Sequence, residues 1–360
     1  FMIIPPLLPF FARDFHLTFF QSGMVVFVAN IVSAVLQPFV GYYSDLKMLR
    51  RAAIIIGLLI YALSYCAMSY VPSYTFLVVV LFIMGIGGST YHPQSTYFIS
   101  RHFQKYRATA SGIHGIANPV GFLLAPIVVT ALNAVTGSWR STVTLMIIPG
   151  VIAALLSRLA LDEPQVKGSK GFLIGIVSGP LILLTLVSGL TMAIVVAFLS
   201  FLPFYARDAA SHIPASWWLP LTLLPGIALQ PLGGWIADNI GRRNLIILGL
   251  CILFVALLGF ISTAGGVTLA FSMVAGGCFS LLAPVCLIYS AELAVGERVG
   301  TAVGIMWGFA TGMGAISPLW VGYLRDIFPD FRLAFMSLAV LALAGAIISG
   351  FLPGQKRPSR

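Results

Sequence analysis

Charge is scarce in this sequence: 10 acidic and 20 basic residues in 360, or 8%, against about 25% in an ordinary soluble domain. With 59% hydrophobic residues and a mean hydropathy of +1.01, such a chain cannot clothe a globule in polar surface, so a water-soluble fold is excluded. Cysteine is scarce as well. Cys66, Cys251, Cys278 and Cys286 all fall in apolar segments and make no C-x-x-C pair, which leaves them as small packing residues rather than a metal site or a disulfide framework. The pI near 9.7 does not signal nucleic acid, because the basic residues sit in short loops between apolar runs and not on one basic face with aromatic partners.

What is present is a succession of apolar runs about 20 residues long, the length that crosses a bilayer. A partial helix is predicted at 1–12, with full spans near 19–43, 52–71, 74–99, 107–132 and 140–158, then near 173–205, 216–238, 245–263, 267–293, 299–324 and 332–352. These make twelve transmembrane helices. The opening run, FMIIPPLLPFF, is too short to span and lacks the basic flank of a signal peptide, so the first helix is predicted to be truncated. Alternate loops differ in Lys and Arg, 15 on one side and 5 on the other, which places both termini and the central loop in the cytoplasm. None of the 20 basic residues falls in the predicted membrane interior, which disfavours a dedicated polyanion site.

The chain repeats itself at an offset of 191 to 194 residues. Leu8-Pro9-Phe10-Phe11-Ala12-Arg13-Asp14 returns as Leu202-Pro203-Phe204-Tyr205-Ala206-Arg207-Asp208, and Leu36-Gln37-Pro38 returns as Leu229-Gln230-Pro231. Gly85 and Pro93 match Gly276 and Pro284, and Thr109-Ala110 matches Thr301-Ala302. Each half carries six helices in the same orientation, so the repeat is parallel, with its axis along the membrane normal. The predicted organisation is an N-terminal bundle at 1–160, a cytoplasmic linker at 161–172, a C-terminal bundle at 173–352 and a cytoplasmic tail at 353–360.

The segment Gly234-Trp235-Ile236-Ala237-Asp238-Asn239-Ile240-Gly241-Arg242-Arg243 reads G-x-x-x-D-x-x-G-R-R and resembles the cytoplasmic loop motif of the major facilitator superfamily. Its twin keeps Gly41, Asp45, Arg50 and Arg51, with one extra residue and no glycine before the arginines. The resemblance implies a conformational latch formed by these residues, Gly41, Asp45, Arg50, Arg51, Gly234, Asp238, Gly241, Arg242 and Arg243. A carboxylate at a helix end can accept from the amides of a neighbouring helix, and the arginines can pair with acids nearby. Tyr91-His92-Pro93-Gln94-Ser95-Thr96 is similar to the fourth-span signature of the fosmidomycin-resistance type of efflux transporter, with Gln94 standing where an acid is expected.

An ionisable group within a bilayer is a functional candidate by default. Glu292 is the acid nearest the interior, and His92 and His114 lie at similar depths in the fourth and fifth spans. Histidine titrates near neutrality, so His92, His114 and Glu292 are the candidate proton-coupling groups. The family's fold implies a cavity lined by spans one, four, seven and ten. From the fourth span it would take Ser89, His92, Gln94, Thr96 and Tyr97. From the seventh come Ser188, Thr191, Met192 and Phe198, and from the tenth Phe279, Ser280 and Tyr289. Hydroxyls, amides and aromatics without fixed charge suit a small organic solute. A His92/Ser95 catalytic pair has no second acid or base at helical spacing, and no G-x-S-x-G turn occurs, so an enzyme is not expected. Neither is a cofactor, a metal or a nucleic-acid partner. The expectation is a monomeric, proton-coupled antiporter in the bacterial inner membrane that exports a small organic solute or drug, with an uptake symporter or uniporter as the alternative.

Overall fold

A computed structural model describes residues 3–47, 49–102, 107–161, 178–208, 212–293 and 299–354. Most of the predicted linker and tail lie outside these residues. Fifteen helices and no strand occur among the described residues, and they group into the twelve predicted spans because three spans are broken in two. The fourth is α4 (Tyr74–Gly88) with α5 (Tyr91–His102), the sixth α7 (Trp139–Leu145) with α8 (Ile147–Ala160), and the eighth α10 (Ala215–Leu223) with α11 (Gly226–Ile240). Proline explains all three breaks. Pro93, Pro149 and Pro225 carry no N–H for the carbonyl four residues earlier, at Ser89, Leu145 and Leu221, and proline within a helix generally disrupts the preceding turn.

The unbroken spans are α1 (Ile4–Asp14), α2 (Phe19–Lys47), α3 (Arg50–Met68) and α6 (Arg107–Thr136) in the first half. In the second they are α9 (Gly179–Asp208), α12 (Arg242–Ser262), α13 (Gly265–Glu292), α14 (Val299–Ile327) and α15 (Arg332–Ser349). Among the described residues, nine of the twelve are long and apolar enough to cross a membrane, and α4 and the apolar stretch Val120–Thr136 of α6 are shorter apolar helices. With α1, which is 11 residues long, these account for every predicted span. The protein is an all-helical, multi-pass membrane protein.

The sequence repeat is also a repeat of contacts. Gly85 lets α4 meet the Ala29 carbonyl of α2, and Gly276 lets α13 meet the Thr222 carbonyl of α10, in each case with no room for a methyl group. Arg51 donates to the Arg158 carbonyl at the end of α8, and Arg243 donates to the Gly350 carbonyl at the end of α15. Each arginine reaches the last turn of the final span in its own half, satisfying a carbonyl that the helix cannot.

The second half is built around α9, which is buried along most of its length. Phe198 on α9 meets Phe260, Phe279 and Phe335 at ring-centroid distances of 5.0, 5.9 and 5.5 Å. Edge-on and tilted ring pairs of this kind favour one arrangement beyond what area burial supplies. They fix the face of α9 that turns the other way, toward α14 and the first half.

Candidate functional site: an uncharged cavity between the halves

That other face opens on a cavity of about 120 Å³, comparable to the cavity of about 150 Å³ that accommodates benzene in a protein core. α9 contributes Ser188, Thr191 and Met192, α13 contributes Phe279 and Ser280, and α14 contributes Trp307. Phe122 of α6 closes the wall from the first half, and Gln230 of α11 adds an amide. A roomier groove between α12 and α13 is lined by Cys251, Ile252, Val255, Ala256, Phe271 and Val274. It lies on an outer, apolar surface suited to lipid chains, so volume alone does not identify the site.

The polar groups of the cavity are held by helix geometry. Thr191 donates to the Val187 carbonyl at 2.9 Å and Ser280 to the Gly276 carbonyl at 3.2 Å, each bonding one turn back along its own helix. Their oxygens keep lone pairs for a solute. Ser188 is different. Its hydroxyl is buried, and among the described residues only the neighbouring Cys286 thiol is a partner for it, so a solute acceptor or donor there would relieve a desolvated group. No Lys, Arg, Asp or Glu lines the cavity among the described residues.

Of the twelve predicted binding residues, the cavity gathers Ser188, Thr191, Met192, Phe279 and Ser280. Four others are packed elsewhere. Ser89 is buried and donates to the Ile86 carbonyl at 2.7 Å. Gln94, 1% exposed, donates to the Ser44 hydroxyl. Phe198 belongs to the aromatic core, and Tyr289 is buried and donates to the Pro353 carbonyl. Thr96 and Tyr97 lie outside the residues whose side chains are described, as do Gly41 and Asp45 of the predicted latch. The cavity draws on spans five, seven, eight, ten and eleven, whereas the expectation was one, four, seven and ten. Phe122 had no signal in the sequence, because its contribution depends on how α6 docks against the second half. Gln230 and Trp307 were visible as polar or aromatic residues within apolar spans.

His92 is exposed, and the Tyr91 ring packs against both predicted histidines, edge-on to His92 at 5.7 Å and stacked on His114 at 6.0 Å. Glu292 lies away from this cluster. It pairs with Arg242 at 3.1 Å, and Arg242 also pairs with Asp238, so one guanidinium joins α11, α12 and α13 at the basic end of the second half. Gly241, between α11 and α12, has φ +89°, a conformation open to glycine and strained for other residues. The first half makes the equivalent turn with Leu49 at φ −108° and one more residue, so it needs no glycine there.

The family model described as Major Facilitator Superfamily matches residues 1–214 and again 181–360, so both halves match and together they cover the chain. An uncharacterized MFS-type transporter of Bacillus subtilis (strain 168), YfnC, is 30% identical over 371 residues, covering 99% of this chain and 89% of that protein. The fosmidomycin resistance protein of Escherichia coli (strain K12) is 26% identical over 383 residues, with 98% and 89% covered. Among solved structures, a bacterial homologue of the human lysosomal transporter Spinster superposes with a TM-score of 0.79 at 14% identity, over 98% of this chain and 93% of that one. These relatives are membrane transporters and not enzymes.

Proposed function

The chain belongs to the major facilitator superfamily, and from that premise we propose that it is a secondary active transporter exporting a small, weakly polar organic solute in exchange for protons. The observation that carries the substrate class is the cavity. Three aromatic rings, Phe122, Phe279 and Trp307, provide apolar area, while Ser188, Thr191, Ser280 and Gln230 provide oriented polar atoms without a fixed charge. Such a wall holds an uncharged ring system by burial and a few hydrogen bonds, and would leave a multiply charged anion unpaired.

Proton coupling rests on the cluster of His92, Tyr91 and His114, which brings the two predicted histidines against one ring and apart from the Arg242 network that holds Glu292. The likeness to the fosmidomycin resistance protein supports the outward direction. The Lys and Arg bias supports an orientation with both termini in the cytoplasm, and the protein works as a monomer in a bacterial inner membrane.

Reconstitution into liposomes with an imposed pH gradient tests the reading. A panel of neutral aromatic antibiotics and dyes should include a compound that moves against its own gradient when protons flow the other way. Trp307→Ala and Gln230→Ala should weaken its apparent affinity about tenfold, the scale of one or two lost contacts of about 1 kcal/mol each. His92→Gln with His114→Gln should abolish the response to the pH gradient while counterflow exchange persists. Movement of every compound independent of the pH gradient would refute proton coupling.

A further inference from the structure

The two halves are held differently at their two ends. α2 and α14 cross at the end poor in basic residues, where a methyl on Gly23 would overlap the Pro318 carbonyl and one on Gly322 would overlap the carbonyl of Phe19. The start of α2 is capped in two stages. Thr18 and Gln21 form a reciprocal capping box, with the Gln21 N–H donating to Thr18 Oγ1 at 3.2 Å and the Thr18 N–H donating to Gln21 Oε1 at 3.0 Å. The box leaves the N–H groups of Phe19 and Phe20 to be satisfied. Both are taken by the other half of the protein: Phe19 donates to Asp326 Oδ1 and Phe20 to Asp326 Oδ2, each at 2.8 Å. A carboxylate on the last turn of α14 therefore sits on the positive end of the α2 dipole. Beside it the Arg325 guanidinium lies over the Phe19 ring at 4.6 Å and the Phe331 ring at 5.1 Å.

The face of α14 that seats α2 continues toward the other end. Gly322, Pro318, Ala315, Thr311, Gly308 and Gly304 recur at intervals of four and three residues, which is one stripe of a helix. At Gly322 that stripe is in tight contact, whereas at Gly308 and Gly304 an added Cβ would meet nothing within 4 Å among the described residues. Glycines spaced in this way allow close helix approach in a membrane, and beside Gly308 and Gly304 that space is open.

We propose that Asp326 is the latch of the gate at the basic-poor end, holding α2 by its two free N–H groups, and that α14 seats the first half alternately. In the state described the contact is at Asp326, Gly322 and Pro318. When the opposite gate closes, it shifts to Gly308 and Gly304. The proposal rests on the secondary active transport proposed above, in which a central site opens to the two sides in turn (alternating access), and adds the residue that sets the balance between the two states. Asp326 is exposed even with the gate closed, so opening exchanges its two hydrogen bonds for bonds to water, and the latch biases the equilibrium without locking it. The seam is thus a two-position element.

The test uses the full chain in liposomes, with Cys66, Cys251, Cys278 and Cys286 replaced by alanine and pairs of nitroxide labels read by pulsed electron–electron distances. Tyr70→Cys with Val267→Cys reports the basic-poor end, and Leu159→Cys with Phe351→Cys reports the basic end, all four being exposed positions. Asp326→Ala should raise the ratio of open to closed gate at the first pair by roughly three- to thirtyfold, the effect of losing a helix-capping carboxylate, while the second pair draws together. Asp326→Asn, which keeps one acceptor oxygen, should fall between, and Asp326→Glu should stay near the parent. Gly322→Leu should wedge the same gate open, and Gly308→Leu should do the reverse by keeping the basic end apart. If Gly322→Leu opens the gate and both Asp326→Ala and Asp326→Asn leave the distances unchanged, the carboxylate is not the latch, though alternating access stands. If no variant moves the two pairs in opposite senses, alternating access fails and the latch with it.

Discussion

Gly241 and Leu49 occupy equivalent turns in the two halves, and the difference between them is conformational rather than chemical. At φ +89° a Cβ is strained by about 1–2 kcal/mol, so Gly241→Ala should lower the thermal unfolding temperature of the purified protein, whereas Leu49→Ala, at φ −108°, should carry no such backbone penalty. The same scale shows why some binding candidates lie off the cavity. Ser89, Gln94, Phe198 and Tyr289 are polar or aromatic residues inside apolar spans, as Ser188 and Thr191 are, and nothing in the sequence separates the two groups. What separates them is the neighbour each side chain meets: the Ile86 carbonyl, the Ser44 hydroxyl, the Phe260 and Phe335 rings, and the Pro353 carbonyl. Glu292 shows the same dependence, because its partner Arg242 lies 50 residues away in sequence, on α12.

At the level of helices, proline and glycine carry most of the information. Pro93, Pro149 and Pro225 break their spans, while Pro38, Pro203, Pro231, Pro284 and Pro318 are accommodated inside continuous helices, so proline position alone does not mark a break. Glycine divides in a comparable way. Gly85 and Gly276 face backbone carbonyls of the neighbouring helix and Gly266 faces open space. Gly85→Ala and Gly276→Ala should each destabilise the protein by about 1–3 kcal/mol, as overpacking does when the obstacle is backbone. Gly266→Ala should be neutral or slightly stabilising, and thermal unfolding in detergent compares the three. The paired matches of Gly85 with Gly276 and of Arg51 with Arg243 are legible as repeats in the sequence. That they mark a helix crossing and a terminal cap follows only from the contacts.

For the whole molecule, the 15-to-5 division of basic residues yields a direct topology test. In intact cells a membrane-impermeant maleimide should label Tyr70→Cys from outside, and should label Leu159→Cys only after permeabilisation; the opposite pattern would invert the orientation. Hydropathy, charge and repetition by themselves determined that the chain is a membrane protein of twelve spans in two parallel halves, because apolar length, Lys and Arg bias and internal matches are properties of the sequence that survive any packing. They also placed no lysine or arginine in the predicted membrane interior. Only the tertiary structure decided which faces of those spans meet: that the cavity lies against α9, α13 and α14 with Phe122 across from them, that Glu292 serves Arg242, and that Asp326 caps α2. The physical reason is that a helix offers every side chain one of several directions at equal intrinsic cost, and the choice among them is made by close packing and hydrogen bonding between segments up to 307 residues apart in the chain.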